Sequence, residues 1–330
     1  MTVHKLAMVG CGGVTAMHYD GYTAHPERIQ LVAACDPVAE RRDWAQQTYG
    51  VASVHETLDA MIDAVDWDVA VVCTPTSIRR EMVEQLAAAG KHLMVEKPLA
   101  DTYAEAKTLV DICAKANVKL AVNQNFREHY GFHLARDLVA EGRLGKVLGI
   151  VHEDLMFRQD KGWRREAERH ALSVMGVHWL DGFRFLLGRE ASWVWCRTAS
   201  SPAIDATGET EAFTHLLFDD IPVTYTESFS SRIRRTDTVV LGALATLRLG
   251  SEGVQLTDDA GTTSHQNPYA GKGKPESTYR CLDQLLQALD DGKEPANSGE
   301  DNLRTIALLD AAYASAKAGE PVTLTEGLPR

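Results

Sequence analysis

The run Lys5-Leu6-Ala7-Met8-Val9-Gly10-Cys11-Gly12-Gly13-Val14-Thr15 joins an apolar, strand-like segment to a glycine turn and then to a helical pattern. Gly10 suits the tight turn. Gly12 has no side chain to block an approaching pyrophosphate, and the helix that follows offers unpaired N–H groups and partial positive charge to an anion. The last position of the G-x-G-x-x-G/A pattern is Thr15, slightly large for close helix–strand packing. A glycine turn alone is weak evidence. Here it ends the first strand of a βαβ unit, and the second strand leads into Asp36, about 20 residues further on, where a carboxylate can accept hydrogen bonds from ribose hydroxyls. The same carboxylate repels a 2′-phosphate, which favours NAD over NADP, with Arg41-Arg42 on the next helix as the counterweight. Gly10, Gly12, Gly13, Val14, Asp36 and Pro37 form the expected dinucleotide contacts.

Outward from this turn, short apolar runs at residues 5–9, 31–35, 68–73, 92–96 and 119–122 alternate with helical patterns at 38–49, 77–89 and 102–116. Nearly continuous apolar strands alternating with helices predict a doubly wound parallel sheet covered on both faces. Gly90 stands where a helix C-terminus needs positive φ. Beyond residue 122 the pattern changes. A helix at 132–141 precedes longer, more polar strand-like runs at 147–157, 191–198, 211–218, 223–229, 238–241 and 245–249, with helical patterns at 174–187, 279–289 and 303–318. The expected architecture is α/β: an N-terminal Rossmann domain over residues 1–122, then a C-terminal α+β domain over 123–330 with an open, mostly antiparallel sheet.

Composition narrows the function. Lys and Arg total 34 against 46 Asp and Glu, and a formal net charge of −12 argues against a nucleic-acid role. No apolar run approaches the ~18–20 residues that cross a bilayer, and the first residues do not form a signal peptide, so a cytoplasmic location is expected. The six cysteines (Cys11, Cys35, Cys73, Cys113, Cys196, Cys281) contain no C-x-x-C pair and read as buried free thiols; no metal site is expected.

Two further elements bear on chemistry. The 92–96 strand runs into Glu96-Lys97-Pro98, and the strand before it ends in Cys73-Thr74-Pro75. Ligands of doubly wound sheets bind beyond the carboxyl ends of the strands. That puts Lys97 near the nicotinamide end of the crevice, able to hydrogen-bond a substrate hydroxyl and exchange its proton, with Cys73, Thr74, Pro75 and Glu96 beside the cofactor. In Gly176-Val177-His178-Trp179-Leu180-Asp181, His178 and Asp181 share a helical face, and His178 can act as acid/base or orient the reacting group.

Together these residues resemble the glucose–fructose oxidoreductase / inositol dehydrogenase / MocA (Gfo/Idh/MocA) family over nearly the whole chain. The resemblance rests on Val9-Gly10-Cys11-Gly12-Gly13 with His18 after it, Cys73-Thr74-Pro75, Ala89-Gly90-Lys91-His92 leading to Glu96-Lys97-Pro98, Asn125-Phe126-Arg127, His178 with Asp181, and Ser298-Gly299-Glu300-Asp301 before an Ala-rich helix. It implies a Rossmann domain, a C-terminal sheet that often serves as an oligomer interface (hence a homodimer or homotetramer), and NAD(P)-dependent oxidation or reduction of a hydroxyl on a sugar, cyclitol or polyol. Lys97 matches the family's catalytic lysine and His178 its active-site histidine. Asn125, expected to touch both cofactor and substrate, and Arg127 match a segment bordering the active site.

Two departures stand out. Val174 occupies the place, four residues before His178, where inositol-dehydrogenase-like members carry an aspartate, which shifts proton transfer onto Lys97 or a water. Arg169-His170 replaces a paired glycine, and with Arg164 and Arg165 nearby an acidic sugar is conceivable, with Arg164 as a substrate contact; three arginines on a solvated loop is the plainer reading. Two rivals stay open: a redox glycosidase or eliminase using NAD transiently, and a non-catalytic dinucleotide sensor.

Overall fold

The computed structural model describes residues 2–250, 253–269 and 272–329. The chain begins β1 (His4–Val9), α1 (Thr15–Thr23), β2 (Ile29–Cys35), α2 (Ala39–Tyr49), β3 (Ser53–His55), α3 (Leu58–Ala64), β4 (Val69–Val72), α4 (Thr76–Ala88), β5 (His92–Glu96), α5 (Tyr103–Lys115) and β6 (Leu120–Asn123). It continues through α6 (Tyr130–Ala140), β7 (Val147–Phe157), α7 (Trp163–Glu166) and a π-helical turn at Leu172–Gly176 that runs into α8 (Val177–Leu187). Then follow β8 (Trp193–Ala199), β9 (Glu211–Phe218), β10 (Ile221–Ser228), β11 (Ser230–Gly242), β12 (Thr246–Gly250), β13 (Gly253–Asp258) and β14 (Gly261–Gln266). The chain ends with α9 (Gly273–Asp291), α10 (Gly299–Ala318), β15 (Val322–Thr325) and β16 (Leu328–Pro329).

Among the described residues the first sheet has six strands in the order β3-β2-β1-β4-β5-β6, and every pairing is parallel. Each parallel step needs a crossover, and the helices between the strands supply it. Val69–Val72 is buried at every position, as a strand covered on both faces must be. Strand order reverses at β1, with β2 and β3 to one side and β4, β5 and β6 to the other. The topological switch point therefore lies at the carboxyl ends of β1 and β4.

The chain divides into two compact units. One comprises residues 1–128 and 271–303; the other comprises 129–270 and 304–330. The boundary expected after residue 122 thus leaves out a return crossing. Helix α9 belongs to the first unit because its apolar residues Tyr279, Leu282, Leu285 and Leu286 share one core with Leu6, Met8, Tyr19 and Tyr22. α9 and α1 pack so closely that a Cβ on Gly21 would lie 2.4 Å from the carbonyl oxygen of Pro275. After α9, the peptide of Asn297 pairs with Val122 (Val122 N–H to Asn297 O, 2.9 Å). Gly299 then passes where a Cβ would lie 2.7 Å from Leu120 Cδ2.

The second unit is built on a sheet of order β14-β13-β12-β11-β7-β10-β9-β8-β15-β16. Only β7 and β10 run parallel among the described pairings; the rest are antiparallel. One face is covered by α6, α8 and the π-turn, and burial alternates accordingly along β9 and β10. The other face presents exposed Val151, Phe213 and Leu241 with half-buried Trp193 and Trp195. β11 is far longer than residues 238–241. Its early stretch, Arg232-Ile233-Arg234-Arg235, has no apolar alternation, and its pairing to β7 shifts register between Ser230 and Arg235.

Candidate functional site

The turn after β1 is shaped as a dinucleotide cradle. Gly10 has φ +90°, and a Cβ there would sit 3.0 Å from the Cys73 carbonyl oxygen, so only glycine fits without strain. Cβ atoms on Gly12 and Gly13 would meet nothing within 4 Å, so the space beside the turn before α1 is open. Helix α1 has no side-chain cap; its first turn is closed by the backbone, Thr15 N–H donating to Gly12 O (3.1 Å) and Met17 N–H to Val14 O (3.2 Å), so the pull on an anion expected here comes from the helix dipole more than from free N–H groups. Asp36, at the end of β2, is buried and fixed from both sides: Oδ2 accepts from Cys11 N–H at 2.8 Å and Oδ1 from Val38 N–H at 2.9 Å. Each oxygen keeps a lone pair for a ribose hydroxyl. Arg42 donates to the Asp36 backbone carbonyl at 2.7 Å, and Arg41, half exposed, lies 3.6 Å from the carboxylate. Pro37 and Val14 flank the same corner. These residues fit a bound dinucleotide.

The thiols in this crevice are inert. Burial pushes Cys11 up to about 11 and Cys35 up to about 12, and Cys73 is driven well above its usual range. Among the described residues all six cysteines are free.

The loops after β4 and β5 are tied together by a residue the sequence reading passed over. Arg79 on α4 is only 2% exposed and donates to the backbone carbonyls of Thr74 (2.6 Å), Leu99 (3.1 Å) and Pro98. It clamps Cys73-Thr74-Pro75 against Glu96-Lys97-Pro98, whose Lys97–Pro98 peptide is cis. Its place on the helical face of Val83 and Leu86 was the signal available: a guanidinium on an apolar face must find acceptors indoors. Lys97, half-buried, leaves the sheet directly after Glu96. The Glu96 carboxyl is buried, which alone would raise its pKa. The hydrogen bond and charge of His18, the charge of Lys97 and the amide of Asn123 outweigh this and hold it at about 2. His18 Nε2 meets Glu96 Oε1 at 2.7 Å and Asn123 Nδ2 donates to the same oxygen at 2.5 Å.

Asn125 is buried, its amide turned toward Ser277 Oγ (3.5 Å) and Thr278 Oγ1 (3.4 Å) at the start of α9. Arg127 pairs with Asp301 at 2.6 Å, joining two elements far apart in sequence.

In the second unit His178 lies in the first turn of α8, 4% exposed, directly after the π-turn that holds half-buried Val174. π-helical turns recur at functional sites. The buried carboxylate of Glu209 fixes the entry to this helix, accepting from the N–H groups of His170 (3.1 Å) and Leu172 (3.0 Å) and from the Tyr313 hydroxyl (2.7 Å). Asp181, which shares a face with His178, accepts from Thr305 Oγ1 at 2.6 Å and lies 3.5 Å from Arg184. Arg164 stacks over Trp163 on the short α7; Arg165 pairs with Asp205, and Arg169 with Asp310.

Beneath α8 the sheet is unexpectedly polar. Register aligns Tyr225, His152 and Thr238 in one row and Glu227, Asp154 and Thr236 in the next. Tyr225 donates to Glu227, Trp179 Nε1 donates to Asp154 Oδ2 at 2.9 Å, and Thr236 Oγ1 donates to Asp154 Oδ1 at 2.7 Å. Burial raises both carboxyls, Glu227 well above its usual range.

Two family models match the chain: an oxidoreductase family with an NAD-binding Rossmann fold over residues 4–124, and the GFO/IDH/MocA C-terminal domain over residues 132–248. The chain belongs to the Gfo/Idh/MocA oxidoreductase family. Its similarity to D-apiose dehydrogenase of Paraburkholderia graminis is 30% identity over 97% of this chain and 89% of that protein. It is 26% identical to inositol 2-dehydrogenase of Rhizobium meliloti, over 96% of this chain and 97% of that protein. Among solved structures, aldose-aldose oxidoreductase of Caulobacter crescentus, complexed with glycerol, matches with a TM-score of 0.86 and 26% identity, covering 98% of this chain and all of that one. A Gfo/Idh/MocA chain is an NAD(P)-dependent oxidoreductase with a Rossmann domain, as the glycine turn and parallel sheet require.

Proposed function

We propose that this chain is an NAD-dependent dehydrogenase or reductase whose substrate is a sugar, cyclitol or related polyol, with pentoses, inositols and aldoses as the first candidates. The observation that carries the reading is the end of β5, where Lys97 emerges directly after a buried, ionised glutamate on the β4–β6 side of the switch point. Gly10, Gly12, Gly13 and Val14 would hold the pyrophosphate, and Asp36 and Pro37 the adenosine ribose. Cys73, Thr74, Pro75, Glu96 and Asn125 would border the nicotinamide half. Bound NAD supplies a hydride acceptor, and NADH a donor. Lys97 takes the proton of the reacting hydroxyl at Nζ during oxidation and returns it during reduction. His178 assists by orienting that hydroxyl; Asn125, Arg127 and Arg164 contact the remainder of the substrate. The Asp36 carboxylate supports NAD over NADP.

The relatives' names support the substrate class, and the apolar open sheet face supports a homodimer or homotetramer formed through it. No helix among the described residues is long and apolar enough to cross a membrane, which accords with a cytoplasmic enzyme.

The test is single-turnover hydride transfer, followed at the NADH absorbance with NAD and NADP against apiose, inositols, aldoses and glucosides. Lys97→Ala is expected to lose about 10²–10⁴-fold in rate; a wild-type rate in that variant removes the assigned role. Glycoside cleavage without accumulated NADH would favour the transient-redox alternative that Val174 leaves open.

A further inference from the structure

At the end of β5 lies a chain of buried polar groups that hydride transfer leaves unused. Glu96 is 6% exposed and accepts from His18 and Asn123. His18, fully buried, meets the Tyr22 hydroxyl through Nδ1 at 2.7 Å. Tyr22 is equally buried, and among the described residues its hydroxyl has only this hydrogen-bond partner. His18 Nε2 and the Asn123 amide thus converge on one oxygen of a carboxylate that is itself buried.

Titratable and charged groups face it from every element packed around it, and the charges of Lys97 and Arg79 both act on it. From β5 the next residue is Lys97. From α4 comes Arg79, whose guanidinium is committed to backbone carbonyls. From β4 and α9 come Cys73 and Cys281, thiols held neutral by burial. From β6 comes the uncharged Asn123. In a doubly wound sheet the two halves of a dinucleotide lie over the two halves of the sheet. Asp36 marks the β1–β2 half, so the nicotinamide half belongs with β4, β5 and β6. The oxidised nicotinamide ring carries a positive charge and the reduced ring none, so a fixed anion beneath that half acts on one and not on the other.

We infer that Glu96 is a redox-biasing residue: its carboxylate, held by His18 and Asn123, tightens binding of the oxidised cofactor relative to the reduced one. This rests on the cofactor reading proposed above. The experiment titrates the full-length protein with NAD+ and with NADH, by calorimetry and by NADH fluorescence, in the wild type, Glu96→Gln and Glu96→Asp. In Glu96→Gln the ratio of the NAD+ to the NADH dissociation constant should rise about tenfold, which is about 30 mV in the potential of the bound two-electron couple. Glu96→Asp keeps the charge and should keep the ratio within about twofold. A purely structural glutamate would weaken both nucleotides together and leave the ratio unmoved, which overturns the inference while the cofactor reading stands. If the wild type takes up neither nucleotide, the cofactor reading itself fails. Should Glu96→Gln not fold, Glu96→Met/His18→Leu removes both members of the contact for an apolar one, and the same ratio decides.

Discussion

Replacing His152 with leucine should abolish a loss of stability that the wild-type protein suffers as the solution turns acid. His152 sits on β7, 1% exposed, with Nδ1 bonded to Thr238 Oγ1 at 2.7 Å and Nε2 lacking any hydrogen-bond partner among the described residues. The rings of Trp179, Phe183 and Tyr225 lie 4.1, 5.6 and 5.4 Å away, centre to centre. Burial lowers its pKa from 6.5 to about 3, and the charge of Asp237 opposes this only in part. The imidazole is thus neutral in the fold but takes a proton once the chain unfolds. Its contribution is complete above pH 6.5 and is lost progressively as pH falls from 6.5 toward 3. At pH 5 the loss is about 1.4 kcal/mol per unit over 1.5 units, or roughly 2 kcal/mol. Asp154 and Glu227 slope the other way, since a carboxyl raised in the fold costs stability as pH rises above its unfolded value. Only the difference between wild type and variant isolates the histidine. Scanning calorimetry between pH 7.5 and 5 measures it. His152→Leu should melt below wild type at pH 7.5, and the gap should close by about 4–8 °C at pH 5. Melting curves that stay parallel across that range would refute a histidine buried neutral.

Gly10→Ala meets both a left-handed backbone and the Cys73 carbonyl, so the expected cost is about 1–3 kcal/mol in stability and at least tenfold in NAD affinity, read by calorimetry; unchanged affinity would place the pyrophosphate elsewhere. Val151→Lys with Phe213→Glu puts charge on the open face of the second sheet, and light scattering should show the proposed oligomer falling to smaller species while NAD affinity is kept. An unchanged mass would move the interface off that face.

Much of the first unit was legible because its code is local. A strand buried on both faces is a continuous apolar run, and α5 carries its own cap, Thr102 accepting the N–H of Glu105 three residues on. Residues 92–96 are β5 as read from sequence. Short β3 and α3 offered too few residues for a period to show. In the second unit, β14 was illegible because an exposed edge strand of threonine and serine has no apolar face to display. The phase of β10 is instructive. Its Tyr225 and Glu227 face the covered side, so a fully buried carboxyl sits where alternation predicts a hydrophobe, and only its partner Tyr225 explains it. For the site, sequence supplied the members but not their bonds. Gly10, Asp36 and Lys97 were visible as motif positions. The bonds of Arg79 to Pro98 and Leu99, of His18 to Glu96, and of Glu209 to the start of the α8 segment join residues about 20 or more positions apart, which no short window contains.

The return of the chain to its first unit has a consequence for how the protein is made. Residues 1–123 emerge from the ribosome with every strand of the parallel sheet present but with Leu6, Met8, Tyr19 and Tyr22 still lacking the helix that seals them. At ~5–20 residues per second, α9 arrives some 10–30 s later. Throughout that interval the nascent sheet exposes a greasy flank, an obvious client for a chaperone. A chain cut after residue 128 would remain in that state permanently.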